Sequence, residues 1–104
     1  MPRLGAVIFV GVTSVQSATA GSGPLTMICE NFRQEYTVRF DRHMNSFKAD
    51  STDYKILAVE DTSERLVVVG LTVNGGPTFR AHFRSYKKIE FYTDNQLYQT
   101  DGCR

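Results

Sequence analysis

The chain has 104 residues, with 12 Lys and Arg against 11 Asp and Glu, so it has the size of one small domain and lacks the basic field that general nucleic-acid binding requires. Its two cysteines and two histidines match no CxxC or HxxxH spacing, which argues against a zinc centre, and no cofactor is expected. Beyond the first residues, no stretch approaches the roughly 20 apolar residues of a membrane helix.

The N-terminus reads as a secretory leader. Arg3 supplies a positive start, Leu4 to Val12 form an apolar run, and Ala18-Thr19-Ala20 places small residues where a signal peptidase reads them. Residues 1–20 are therefore expected to be a signal peptide, cut between Ala20 and Gly21, with residues 21–104 forming a single β-barrel-like domain. The alternative is an uncleaved interfacial anchor. Export would place the protein in the periplasm or outside the cell, where a cysteine pair can oxidise and persist. Cys29 and Cys103 lie near the two ends of residues 21–104 and are expected to form a disulfide; two free buried thiols are the alternative. Arg3 leaves with the leader, which balances the remaining charge. A domain of this size buries roughly 60–65% of its unfolded surface, so a crosslink between its ends would matter.

After a flexible Gly21 to Pro24, apolar and polar residues alternate with the period of a strand. Leu25, Met27 and Cys29 share one parity. Tyr36, Val38 and Phe40 point one way, with Thr37, Arg39 and Asp41 opposite. Asp41 to Ser46 is a polar connection, and Phe47 begins a short strand. Tyr54 to Val59 is a strand apolar on both faces, followed by a polar turn over Glu60 to Glu64. Leu66 to Val73, rich in β-branched residues, is the strongest β-segment, and Gly70 inside it marks a bulge or bend. Asn74-Gly75-Gly76-Pro77 is a hairpin signal, because Asn and Gly tolerate positive φ. Phe79, Ala81 and Phe83 then face one way and Arg80, His82 and Arg84 the other. Ile89 and Phe91 lie inward in the next strand, Asp94-Asn95 turns the chain, and Leu97 to Thr100 begins a last strand that reaches Cys103. No helical period persists. About eight short strands predict an all-β fold, a small antiparallel meander closing into a barrel or curled sheet, with one disulfide from first strand to last.

Signals for catalysis are sparse. Asp50, Asp53, Glu60 and Asp61 fall at expected turns or strand ends and read as solvated edges rather than an acid–base pair. Ser46, Ser51, Ser63 and Ser85 lack a nucleophile-elbow context. The clearest candidate surface is Arg80, His82 and Arg84, whose side chains would sit ~6.5–7 Å apart on one strand face, with Lys87 and Lys88 just beyond. Such a patch suits an anionic envelope component or an acidic protein partner. The plainer alternative is the solvated face of an ordinary strand, where basic residues discourage edge pairing.

The leader, the Leu25-x-x-x-Cys29 segment, Tyr54-x-Ile56-x-x-Val59 and the ending Asp101-Gly102-Cys103 resemble the small exported β-proteins of proteobacteria. The layout is also similar to the periplasmic C-type lysozyme inhibitors, small eight-stranded barrels with a disulfide that block lysozyme with a loop. Ser51-Thr52-Asp53-Tyr54 partly matches that family's Ser-Gly-x-x-Tyr stretch, without the glycine and with a shorter spacing, and the chain has no tryptophan. The resemblance implies Ser51 and Tyr54 as inhibitory-loop residues. An exported, non-catalytic binding or envelope-associated domain is thus the expected role. Inhibition of a cell-wall hydrolase is the alternative, and a small hydrolase a third option.

Overall fold

In the computed structural model, residues 23–73 and 75–104 are described. The leader expected over residues 1–20 and the Asn74 of the expected hairpin lie outside the described residues. The chain forms eight strands: β1 (Leu25–Glu30), β2 (Glu35–Asp41), β3 (Ser46–Ala49), β4 (Thr52–Asp61), β5 (Leu66–Leu71), β6 (Thr78–Arg84), β7 (Lys88–Thr93) and β8 (Gln96–Cys103). Each pairs antiparallel with the next, and β8 returns to β1, giving a closed up-and-down barrel.

The alternation in the sequence is the alternation of the wall. Met27 and Cys29, Val38 and Phe40, Phe79, Ala81 and Phe83, and Ile89 and Phe91 all point inward and are buried, because successive side chains leave a pleated strand on opposite faces. Phe47 lies 4.6 Å from Phe79 and 6.4 Å from both Phe40 and Phe83, ring centroid to centroid, which fills the barrel interior. Turn chemistry connects the walls. Asp94 and Asn95 both adopt positive φ, 52° and 63°, the two-residue hairpin geometry that matches strand twist. Gly75 also takes positive φ, 72°, as its place in the expected hairpin requires. Asn31 Oδ1 accepts from the amides of Arg33 and Gln34, which folds the β1–β2 connection back on itself.

Several boundaries differ from the sequence expectation: Asp41 and Ser46 belong to β2 and β3 rather than to the connection between them, and β4 starts at Thr52 rather than Tyr54. Glu60 and Asp61 belong to β4 rather than to a turn, since Val67 and Leu66 lie opposite them in the ladder. Thr72 and Val73 leave β5 for the β5–β6 connection. The irregularity expected at Gly70 falls on the facing strand: the β4 register shifts between Ile56 and Ala58, directly beside the Ile56–Gly70 pair, and Leu57 is turned outward to solvent.

The barrel closes at a narrow seam. β1 and β8 share two register pairs, Cys29 with Cys103 and Glu30 with Gly102, whereas β1 and β2 share six. Ile28 and Arg104 exchange both backbone hydrogen bonds, at 3.0 and 2.9 Å. The adjacent pair, Cys29 and Cys103, is therefore a close non-hydrogen-bonded pair, with Cα atoms 4.0 Å apart, and it carries the disulfide.

Candidate functional site

In a meander, alternate turns gather at alternate ends. The β1–β2, β3–β4, β5–β6 and β7–β8 connections lie at one end, and the interior there is not filled. Phenylalanines occupy the middle of the barrel. Toward the open end, the inward positions are Tyr36 on β2, Tyr54 on β4, and Gln99 and Asp101 on β8, with Asp50 and Ser51 of the β3–β4 turn at the rim. They line a cavity of about 510 Å³.

Asp101 is the chemical centre of this mouth. It is 3% exposed, the one buried charged residue among the described residues. Tyr36 Oη donates a short hydrogen bond to its Oδ2, and Gln99 Nε2 donates to its Oδ1 at 2.9 Å. Phe47 stacks on Tyr54 from below, centroids 5.8 Å apart, so the wall of the cavity continues into the aromatic core. Asp50 is held at the rim by a reciprocal contact with β2: its amide donates to the Thr37 carbonyl at 2.7 Å, and its Oδ1 accepts from the Thr37 amide at 2.9 Å.

Both tyrosines hold their protons more tightly than usual. Burial is the main cause for Tyr36, followed by its hydrogen bond to Asp101 and that carboxylate's charge. Burial again leads for Tyr54, with Asp101 next. The sign follows. A group whose pKa is raised in the folded state contributes stability below its unfolded value, about 10 for tyrosine, and that contribution is lost as pH rises beyond it. We expect Tyr36 to stay protonated until the barrel opens. Alkaline ultraviolet titration of the wild type minus Tyr36→Phe, followed together with circular dichroism, checks this. Ionisation of Tyr36 near pH 10 with the barrel intact is the contrary result.

The basic candidates lie elsewhere, on the outer wall. Arg80, His82 and Arg84 do share the outer face of β6, and Lys88 pairs with His82 in register. They are not a bare positive patch, because acids of β4 and β7 interleave with them. Arg84 reaches Asp61 at 2.5 Å, Arg80 reaches Glu60 at 3.7 Å, and His82 and Lys88 flank Glu90 at 2.8 and 3.2 Å. Arg42 and Arg65 add second partners to Asp61 and Glu60. Burial works to raise the Glu90 pKa, but hydrogen bonds from His82 and Lys88 outweigh it and hold the carboxyl below its usual range. The Lys88 ammonium is stabilised in turn by Glu90 and then by Tyr86, whose ring centroid lies 4.9 Å from Nζ. Lys87 is exposed in the β6–β7 turn. A basic excess remains, distributed through ion pairs that tie β4 to β6 across β5 and β6 to β7. Their spacing could not be read from the sequence, because it depends on strand register.

Ser51 is exposed at the mouth rim, while Tyr54 is half-buried in the cavity wall. His43 is exposed in the β2–β3 turn. Among the described residues, no three His, Cys, Asp or Glu side chains converge as metal ligands would. In the sequence Asp101 stands out only as part of the Asp101-Gly102-Cys103 ending, yet a signal for its burial is present. Gln99, Asp101 and Cys103 share one parity, so an inward Cys103 places a carboxylate in the core, where an unpaired charge is costly.

Comparison with known proteins finds no matching family model, no matching curated protein and no matching solved structure.

Proposed function

We propose that the chain is an exported, non-catalytic binding domain, and that it takes its ligand at the open end of the barrel. The observation that carries this reading is the buried Asp101 at the base of a cavity of about 510 Å³, within the size range of small-molecule sites. A concave, largely preformed space with a few converging polar groups is the usual form of such a site. Export is supported by the leader-like N-terminus and by the Cys29–Cys103 disulfide, which suits an oxidising compartment. The same two features support a periplasmic or secreted location.

The ion-paired outer face of β6 is a secondary contact surface in this reading. Arg80, Arg84 and Lys87 remain available to an anionic envelope component or an acidic protein, at reduced net charge. Inhibition of a cell-wall hydrolase is the second reading, favoured by the exposure of Ser51 at the rim, where a partner's surface can reach it.

The test is an amide-resolved NMR titration of isotope-labelled residues 21–104 against small metabolites and envelope saccharides, alongside a lysozyme inhibition assay. Shifts confined to Tyr36, Tyr54, Gln99 and Asp101 with the compound unchanged are expected. Shifts confined to Arg80 and Arg84 would move the site to the outer wall. Conversion of the compound would overturn the non-catalytic reading, and lysozyme inhibition lost on changing Ser51 would favour the second.

A further inference from the structure

The mouth carries charge that the described residues leave uncompensated. Both oxygens of Asp101 accept hydrogen bonds, and both donors, Tyr36 and Gln99, are neutral. Asp50 adds a second carboxylate at the rim, with one oxygen engaged by a backbone amide. Among the described residues no Lys, Arg or His lines the cavity, although the chain as a whole has 12 Lys and Arg against 11 Asp and Glu. On the outer wall the same protein answers its carboxylates with arginine, histidine and lysine: Glu60, Asp61 and Glu90 each have two basic partners. Asp101, 3% exposed and more buried than any of them, has no basic partner among the described residues.

Removing a carboxylate from water without a countercharge is unfavourable, and two neutral hydrogen bonds offset only part of that penalty. A cation entering the mouth would meet this uncompensated charge in a site already shaped for it. The nature of the cation follows from the walls. A tightly held metal ion draws several charged or imidazole ligands together, and no three His, Cys, Asp or Glu converge among the described residues. The space is also far larger than a bare ion. Its sides include the rings of Tyr54, Phe91 and Tyr98, which offer apolar area and π faces to a positively charged organic group. Hydroxyls at Ser51, Thr52 and Thr72 ring the opening and suit polar substituents.

We propose that the barrel mouth binds a small organic ammonium ion, its N–H groups donating to Asp101 and its carbon skeleton lying against Tyr54, Phe91 and Tyr98. This rests on the reading of the mouth as the binding site and adds the charge class of the ligand. A primary ammonium fits better than a quaternary one, because Asp101 offers hydrogen-bond acceptors that a methylated nitrogen cannot use. Amino sugars and polyamines both present this group, and they differ in the hydroxyls that would meet the rim.

The experiment is calorimetric and NMR titration of residues 21–104 with four probes: glucosamine, glucose, spermidine and choline. Glucosamine and glucose differ at the binding face by the ammonium alone. Glucosamine is expected to bind at least tenfold more tightly than glucose and than choline, with amide shifts at the mouth and an affinity that weakens as salt is added. Spermidine binding comparably would point to a polyamine, and weaker spermidine binding to an amino sugar; either agrees with the proposal. Asp101→Asn keeps the shape and one of the two acceptor oxygens, and is expected to abolish the preference for glucosamine over glucose. Should that variant fold poorly, the glucosamine–glucose comparison in the unaltered protein decides alone. Equal binding of glucose and glucosamine at the mouth overturns the cation class but leaves the mouth as the site. Shifts elsewhere for every probe, or none at millimolar concentration, overturn both.

Discussion

Reducing the Cys29–Cys103 disulfide, or replacing both residues by alanine, is expected to lower the thermal midpoint of the barrel by roughly 15–30 °C. The expectation rests on loop closure and on the weakness of the seam. The bond joins residues 74 positions apart, and in the chain-entropy model a loop of that length restricts the unfolded chain by about 4 kcal/mol. For a domain of this size each kcal/mol moves the midpoint by about 4–8 °C. The native side of the balance points the same way. Only two register pairs, flanked by the reciprocal Ile28–Arg104 backbone hydrogen bonds, join β1 to β8, so without the disulfide the barrel can open there at the smallest loss of ladder. Once it opens, the edges of β1 and β8 face solvent, with Leu97 and Tyr98 already half exposed. Circular dichroism melts with and without reductant give the answer. An unchanged midpoint would mean that interior packing holds the barrel closed unaided.

Gly70→Ala is expected to destabilise the barrel by about 3 kcal/mol or more, an unusual effect for adding one methyl group. Gly70 faces the interior of β5, and a Cβ there would sit 2.0 Å from the Lys55 carbonyl oxygen and 2.7 Å from the Phe79 ring. The ring cannot move away cheaply, because Phe79 is fully buried and packs against Phe47 and Tyr54, 4.6 and 5.2 Å away. The carbonyl belongs to β4 beside its bulge, so relief would require the two strands to part. Gly102→Ala is the matched control. It is also a strand glycine, but nothing lies within 4 Å of its Cβ position, and a change within about 0.5 kcal/mol is expected. Urea denaturation of the two variants separates close packing from any general effect of glycine in a strand. Equal midpoints would show that β5 can shift to accept the methyl group.

Much of the wall was legible because its cause is local. The pleat alone dictates that Phe79, Ala81 and Phe83 share a face, and that Tyr36, Val38 and Phe40 do, whatever strands lie beside them. Asp94-Asn95 turns the chain because both residues accept positive φ. Glu60 and Asp61 were misplaced for the opposite reason. Their composition is that of a turn, but pairing with Val67 and Leu66 and ion pairs to Arg65, Arg80, Arg42 and Arg84 hold them in β4. The same register turned an expected basic patch into an interleaved lattice.

The sequence by itself determined the all-β class, the inward and outward faces of most strands, the tight turns and the partners of the crosslink. These follow from period-two patterning, from residues suited to positive φ, and from the presence of just two cysteines. Only the tertiary structure decided how the strands are offset at closure, where β4 bulges, which acids neutralise which bases, and that a cavity remains at one end. Tyr36 and Asp101 are 65 positions apart and meet only when the eighth strand returns to the first. Parity can place each of them on the inside of a wall. It cannot say at what height, because height is set by the stagger summed over every strand pair, and no single stretch of sequence encodes that sum.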